Sequence, residues 1–294
     1  MTLDVRRTLS IHRRGTGDPT MRVAADGTVW RAGRGAAGPA TVQITPLRDA
    51  VRVRAWGPGA TEAAGRIERL LGLDDAAEAL VPRHASLAEA VRRLPGLRVG
   101  QTGAVLEALV PAILEQKVTG EEARAAYRRL VHTYGEPAPG PVPLRLPVAP
   151  AVLARLPYHA FHVLGVERRR ASLIARVAAD ASRLESLAAL ADEGRTAEAY
   201  ARLTAYPGIG PWTAAEVGAR AFGDADAVSV GDYHLPHLVC WALAGEPRGT
   251  DERMLELLAP YAGHRGRVTR LLELAGPRTP RRGPRMSPRA IERI

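Results

Sequence analysis

The chain has 294 residues, 46% hydrophobic and 24% charged, values of a folded globular protein with room for one large domain or two ordinary ones. Its 41 basic and 31 acidic residues leave a net charge of +10, which points to a polyanionic partner, nucleic acid first and an anionic membrane surface second. A single cysteine, Cys240, excludes an intramolecular disulfide, a four-cysteine iron–sulfur cluster and any cysteine-rich zinc module.

No apolar stretch approaches the roughly 20 residues that a membrane helix needs. The opening MTLDVRRTLSIHRRG lacks the apolar core and cleavage site of a secretory signal. A cytoplasmic, nucleoid-associated protein without membrane contact is expected.

Residues 3–12 show broken strand-like alternation. Residues 21–24 and 28–31 flank Ala25-Asp26-Gly27, a hairpin turn whose glycine tolerates positive φ. Residues 41–45 and 50–56 alternate at period two, and Gly57-Pro58-Gly59 ends the strands. Ala63, Ile67, Leu70 and Leu71 then recur at helical spacing. Ser86 with Glu89 three residues on predicts a capping box for a helix over 86–94. Residues 1–94 therefore read as a small antiparallel sheet with one or two helices against it, an α+β unit.

From about residue 101 the strand signal disappears. Leu106, Leu109, Val110, Ile113 and Leu114 predict one amphipathic helix, and 120–134 another. The proline-rich stretch 136–150 reads as a solvent-facing break. Helical periodicity resumes over 151–156, 168–182, 184–192, 196–205, 211–222, 234–244, 251–259 and 264–275. Many short helices with Gly/Pro joints make 95–276 a helical domain. Residues 277–294 carry six arginines against Glu292 and four prolines, a basic tail expected to be disordered, with solubility or non-specific DNA affinity as its roles.

Within the helical part, two helices are joined by Pro207-Gly208-Ile209-Gly210. The glycines let the backbone turn tightly and approach a ligand without a Cβ in the way. Pro211 sits where an N1 proline belongs. Such a hairpin, 203–214, is either a glycine-capped corner or a clamp for a DNA phosphate on free amides. The loop 223–236 follows, with Asp232 lying 22 residues beyond Gly210 at the start of the next helix. A carboxylate there is a plain N-cap or the group that offsets developing charge at a sugar C1′ and orients a water.

The run from Leu203 to Pro236 resembles the helix-hairpin-helix, Gly/Pro-rich loop and catalytic aspartate of the HhH-GPD DNA glycosylases. It is most similar to the 3-methyladenine DNA glycosylase II, or AlkA, type: YPGIGPWTA at 206–214 is similar to that type's FPGIGRWTA, and Gly231-Asp232-Tyr233 to its D-D-Y. Upstream, PGLRVGQTGAVLEALVPAILEQKVT at 95–119 and LGVERRRASLI at 164–174 resemble further family segments. The resemblance implies a mainly α fold, with the glycosylase domain preceded by a small TATA-binding-protein-like α+β domain.

The resemblance also implies roles. Asp232 is the catalytic carboxylate. Gly208, Ile209, Gly210 and Thr213 bind a DNA phosphate, while Trp212, Tyr233 and Tyr261 line the base pocket, where a cationic alkylpurine stacks well on electron-rich rings. Gln116, Lys117 and Val118 form the wedge loop, with Lys117, the only lysine, where the family carries an apolar residue. Family members that also cut the backbone have a lysine at the position of Trp212, and an indole cannot form an imine. Expected is a monomeric, monofunctional glycosylase releasing N3- and N7-alkylpurines from damaged double-stranded DNA, with no cofactor and no metal. Two alternatives stand beside it: the same chemistry on another lesion, and a non-catalytic HhH DNA-binding protein. Arg169 and Arg170 are candidates for backbone contact. Arg265, Arg267 and Arg270 read as that or as a solvated face, and His234, His237 and His264 are unassigned.

Overall fold

The computed structural model describes residues 3–278 and 291. The basic tail expected over 277–294 lies almost wholly outside them. Asp4 opens the first element, α1 (Val5–Leu9), by accepting the Arg7 amide at 2.9 Å. Residues 3–12 are thus a capped helix and a 3₁₀ turn rather than the expected strand. Four strands follow, β1 (Met21–Val23), β2 (Val29–Gly35), β3 (Gly38–Pro46) and β4 (Val51–Trp56), as an antiparallel meander in sequence order. The β1–β2 turn is the expected one: Gly27 takes φ +84°, and Asp26 accepts the Thr28 amide at 2.9 Å.

One face of the sheet buries Val29, Val42 and Ile44 against α1 and against α2 (Ala60–Gly65) and α3 (Ile67–Leu70). The other face buries Ala32 against Leu144 and Leu146. The proline-rich segment is therefore packed on the sheet and not the solvent-facing break its composition suggested. Leu144, Leu146 and Val148 alternate with Arg145 and Pro147, a period-two pattern that the prolines mask.

The helix α4 (Ala85–Arg93) does not lean on the sheet as expected. Its Leu87 and Ala90 join α14 (Leu235–Ala244), α15 (Asp251–Leu258) and α16 (Arg265–Ala275) in a separate core around Val239, Met254 and Val268. Nor does Ser86 cap it; the Ser86 hydroxyl donates to the Ala242 carbonyl at 2.5 Å and so ties α4 to α14.

The main helical body forms a further core. At its centre is α5 (Val105–Glu115), with nine buried residues. Pro111 inside it costs about 3 kcal/mol. The burial of Leu106, Leu109, Val110, Ile113 and Leu114, at about 1.5–3 kcal/mol each, outweighs that. Around α5 stand α6 (Gly120–Tyr134), α7 (Pro150–Leu153), α8 (Tyr158–His162), α9 (Arg168–Ala179), α10 (Ala181–Glu185), α11 (Leu187–Asp192), α12 (Thr196–Thr204) and α13 (Pro211–Val217). The expected fold class, mainly α with a small α+β unit at the N-terminal end, is the one observed. No helix among the described residues is long and apolar enough to cross a membrane.

Candidate functional site

The α12–α13 connection forms a tight hairpin because two of its residues have no Cβ. Gly208 takes φ +102°, and a Cβ there would meet Leu173 Cδ2 at 3.0 Å. Gly210 is extended, and a Cβ there would meet nothing within 4 Å, so this side of the hairpin is open. Ile209, 4% exposed, is driven into the main core and anchors the turn. The amides of Gly208, Gly210 and Trp212 donate to no acceptor among the described residues. Free amides at a helix start, with the helix's positive end behind them, can accept an anion. Thr213 is buried and does not reach that surface.

Trp212, on the first turn of α13, connects the hairpin to the next loop. Its Nε1–H donates to Asp232 Oδ2 at 3.2 Å. Asp232 Oδ1 accepts the amides of His234 at 2.7 Å and Leu235 at 2.9 Å; the N-cap of α14 is His234, two residues past the expected Asp232. Three N–H donors thus fix a half-buried carboxylate beside the open face of the hairpin.

The loop 223–236 is anchored along its length. Tyr200 donates to Asp224 at 2.6 Å, and burial, then the Asp224 charge, pushes the phenol far up. Arg265 grips Asp226 in a two-point pair, and the Ser229 hydroxyl donates to Glu216 Oε1 at 2.6 Å. Burial pushes the Glu216 carboxyl up, but the Arg220 guanidinium and the Ser229 hydroxyl more than offset it and hold it below the usual range. Arg220 in turn donates to the Ile11 carbonyl, joining the loop's support to the N-terminal unit.

The expected wedge residues divide. Gln116 faces the hairpin, its Nε2 donating to the Gly208 carbonyl and to Thr213 Oγ1, each at 2.9 Å. Lys117 is exposed and takes φ +55°, the one non-glycine in that region among the described residues. Left-handed backbone costs roughly 1–2 kcal/mol for a residue with a Cβ. It is held from both sides: buried Arg170 donates to the Leu114 carbonyl at 2.7 Å, and Thr119 and Glu122 form a capping box for α6. Val118 is half-buried.

The three expected pocket aromatics are not brought together. Tyr233 is 80% exposed, its ring edge-on to His234 and His237. Tyr261 is 3% exposed in the α4/α14–α16 core, where its hydroxyl accepts the Arg83 amide at 3.1 Å and bonds His84 Nδ1. It is a core residue. A cavity of about 60 Å³ between α5, α6 and 147–153 includes none of the expected site residues.

Three further readings change. Arg170 is 2% exposed and holds the end of α5, so it does not face a ligand. Arg267 is 3% exposed and pairs with Asp75 through both guanidinium nitrogens, and Arg265 is committed to Asp226. Neither is a solvated face. His237 accepts the Gly249 amide and His264 meets Arg267 Nε; no group of three metal-binding side chains occurs among the described residues. Sequence reasoning missed the loop's anchors, Tyr200, Glu216 and Asp251. Only Glu216 left a signal, its i,i+4 spacing to Arg220.

No protein-family model matches the chain. Over 230 residues it is 31% identical to a Mycobacterium tuberculosis protein described as a probable bifunctional transcriptional activator/DNA repair enzyme AlkA, a match covering 76% of this chain and 46% of that protein. The chain thus spans about half the length of the curated relatives it matches. Among solved structures, a 3-methyladenine DNA-glycosylase from Archaeoglobus fulgidus matches with a TM-score of 0.77 at 19% identity, over 93% of this chain and 96% of that one. The 8-oxoguanine glycosylase/lyase of Clostridium acetobutylicum, in complex with double-stranded DNA, matches with a TM-score of 0.69 at 13% identity, over 92% and 90%. At these identities the structural likenesses establish a shared fold.

Proposed function

We propose that this chain, a homologue of AlkA with the fold of the helix-hairpin-helix DNA glycosylases, hydrolyses the N-glycosidic bond of damaged bases in duplex DNA. Its preferred substrates are N3- and N7-alkylpurines, and it leaves an abasic site without cutting the backbone. It works as a monomer in the cytoplasm, on the nucleoid. The observation that carries this reading is the half-buried Asp232 carboxylate, fixed by three N–H donors next to a hairpin with free amides.

The chemistry follows from that placement. The free amides of the hairpin hold one phosphate, and no base is read, as a search over all sequences requires. The lesion swings out of the stack toward Trp212 and exposed Tyr233. The bond from C1′ to the base nitrogen breaks, and its electron pair leaves with the base. A cationic alkylpurine departs neutral, so no acid is needed to protonate it. The Asp232 carboxylate faces the positive charge that builds on the sugar, then accepts a proton from the water whose oxygen bonds to C1′. That yields the abasic sugar and free base.

Trp212 supports the monofunctional reading, because the residue at that place of the hairpin carries no amine. Lys117 is the only side-chain amine in the chain. Chromatography of the bases released from methylated duplex DNA tests the substrate class, and gel analysis with and without alkali tests the monofunctional reading. Release of 3-methyladenine or 7-methylguanine, with breaks only after alkali, is expected. Release of neither base from methylated DNA, or breaks without alkali, would contradict it.

A further inference from the structure

The backbone leading into Asp232 is held from outside its own loop. The Gly231 amide donates to Asp251 Oδ2 at 3.0 Å, and Asp251 is the first residue of α15. Gly231 takes φ +90°, yet a Cβ there would meet nothing within 4 Å. The glycine is thus required by the backbone angle and not by crowding. One residue on, the Asp232 amide donates to the Ser229 carbonyl at 3.1 Å, and Ser229 is itself held by Glu216. The turn is pinned on one flank by α13 and on the other by α15.

Asp251 is not needed where it stands for its own helix. Thr250 already caps α15 by accepting the Arg253 amide at 3.3 Å. The second carboxylate oxygen, Asp251 Oδ1, is buried and accepts no hydrogen bond among the described residues. A buried acceptor without a donor works against stability. Among the described residues the hydrogen-bond partner of the carboxylate is the Gly231 amide. The positive end of α15 offsets its negative charge.

We propose that Asp251 is a positioning residue that fixes the Val230–Gly231 peptide, one residue before Asp232, and thereby aims the Asp232 carboxylate at the reacting carbon. This rests on the reading of Asp232 as the catalytic group. Asp251 touches neither DNA nor water in the reaction; it acts through the backbone of its neighbour in space.

The test compares Asp251→Ala and Asp251→Asn, each alone and combined with Asp232→Asn, in base release from methylated duplex DNA. Hydrogen exchange of residues 228–234 is followed in parallel. Asp251→Ala should lower kcat about 10- to 100-fold, the scale of a misplaced catalytic group, with KM within about twofold. Asp251→Asn retains an oxygen that accepts the Gly231 amide and should recover most of that loss. With Asp232→Asn already present, Asp251→Ala should cost nothing further. Exchange over 228–234 should rise in Asp251→Ala and stay near wild type in Asp251→Asn.

An unchanged kcat in Asp251→Ala, an equal loss in Asp251→Asn, or a full further loss on top of Asp232→Asn would overturn the proposal. If wild type released no base from any substrate, the glycosylase reading would fail. The exchange result would then still decide the clamp: no rise in Asp251→Ala would end it. Should Asp251→Ala fail to fold, Asp251→Asn with wild-type exchange and near wild-type kcat supports the clamp, and a collapse of either contradicts it.

Discussion

The indole N–H of Trp212 donates to Oδ2 of Asp232 at 3.2 Å, and this bond joins the α12–α13 hairpin to the carboxylate loop. The residue taken from the sequence as a base-stacking ring is also a hydrogen-bond donor to the carboxylate proposed to react. Trp212→Phe keeps an aromatic face and removes only the donor. A hydrogen bond to a charged group contributes about 1.5–3 kcal/mol, so base release should fall roughly 10- to 100-fold while DNA affinity holds. Single-turnover release and binding to undamaged duplex read the two effects separately.

The two hairpin glycines should respond differently. Gly208→Ala forces a Cβ at φ +102° against Leu173 and should destabilise the protein by roughly 1–2 kcal/mol, visible in its Tm. Gly210→Ala meets nothing within 4 Å and has an ordinary φ, so its Tm should not move. A methyl group on the open side of the hairpin would nevertheless hold a phosphate away from the free amides. DNA affinity should drop in both variants, and in Gly210→Ala without any loss of fold.

On the proposed reading, Lys117 stands where base extrusion is driven. A lysine fills the gap left by a flipped base poorly and favours phosphate instead. Lys117→Leu should therefore raise release of a lesion from a stable pair several-fold more than from a mismatched one. The ratio of the two rates on matched oligonucleotides checks this, and a ratio unchanged from wild type would count against a wedge role.

Glu216 links the loop's support to acidity. Its folded-state value lies below the ordinary 4.5, so its contribution is complete above that pH and is lost as pH falls through the lower folded value. Glu216→Gln breaks the largely buried pair with Arg220 and should cost about 3 kcal/mol near neutrality. The difference from wild type should shrink as the solution becomes more acidic than 4.5, which denaturant melts across pH would show.

Much of this was legible in the residues. Gly208, Gly210 and Pro211 announce the hairpin because only a few residue types tolerate its backbone, and Asp232 announces a helix start by its type and place. The helices from α5 onward follow their apolar periodicity, except α8 at Tyr158–His162, which no such pattern announced. What stayed hidden depends on tertiary partners. Tyr261 carries the same composition signal as Trp212, yet His84 and Arg83 claim its hydroxyl from 177 and 178 residues away. Gln116 looked like part of a wedge until its partners, Gly208 and Thr213, lay across from it. Asp251 gave no sign at all, since its role depends on one amide 20 residues back. The stretch 136–150 misled because proline content outweighed the alternation of Leu144, Leu146 and Val148.

The most direct measurement is base release from methylated duplex DNA by wild type and by Asp232→Asn. The substitution keeps an oxygen for the His234 and Leu235 amides and removes the negative charge, so fold and DNA affinity should persist. The account predicts that wild type frees 3-methyladenine or 7-methylguanine and that the variant's rate falls at least 100-fold. Equal rates in the two proteins, or tight DNA binding by wild type with no base released, would contradict it.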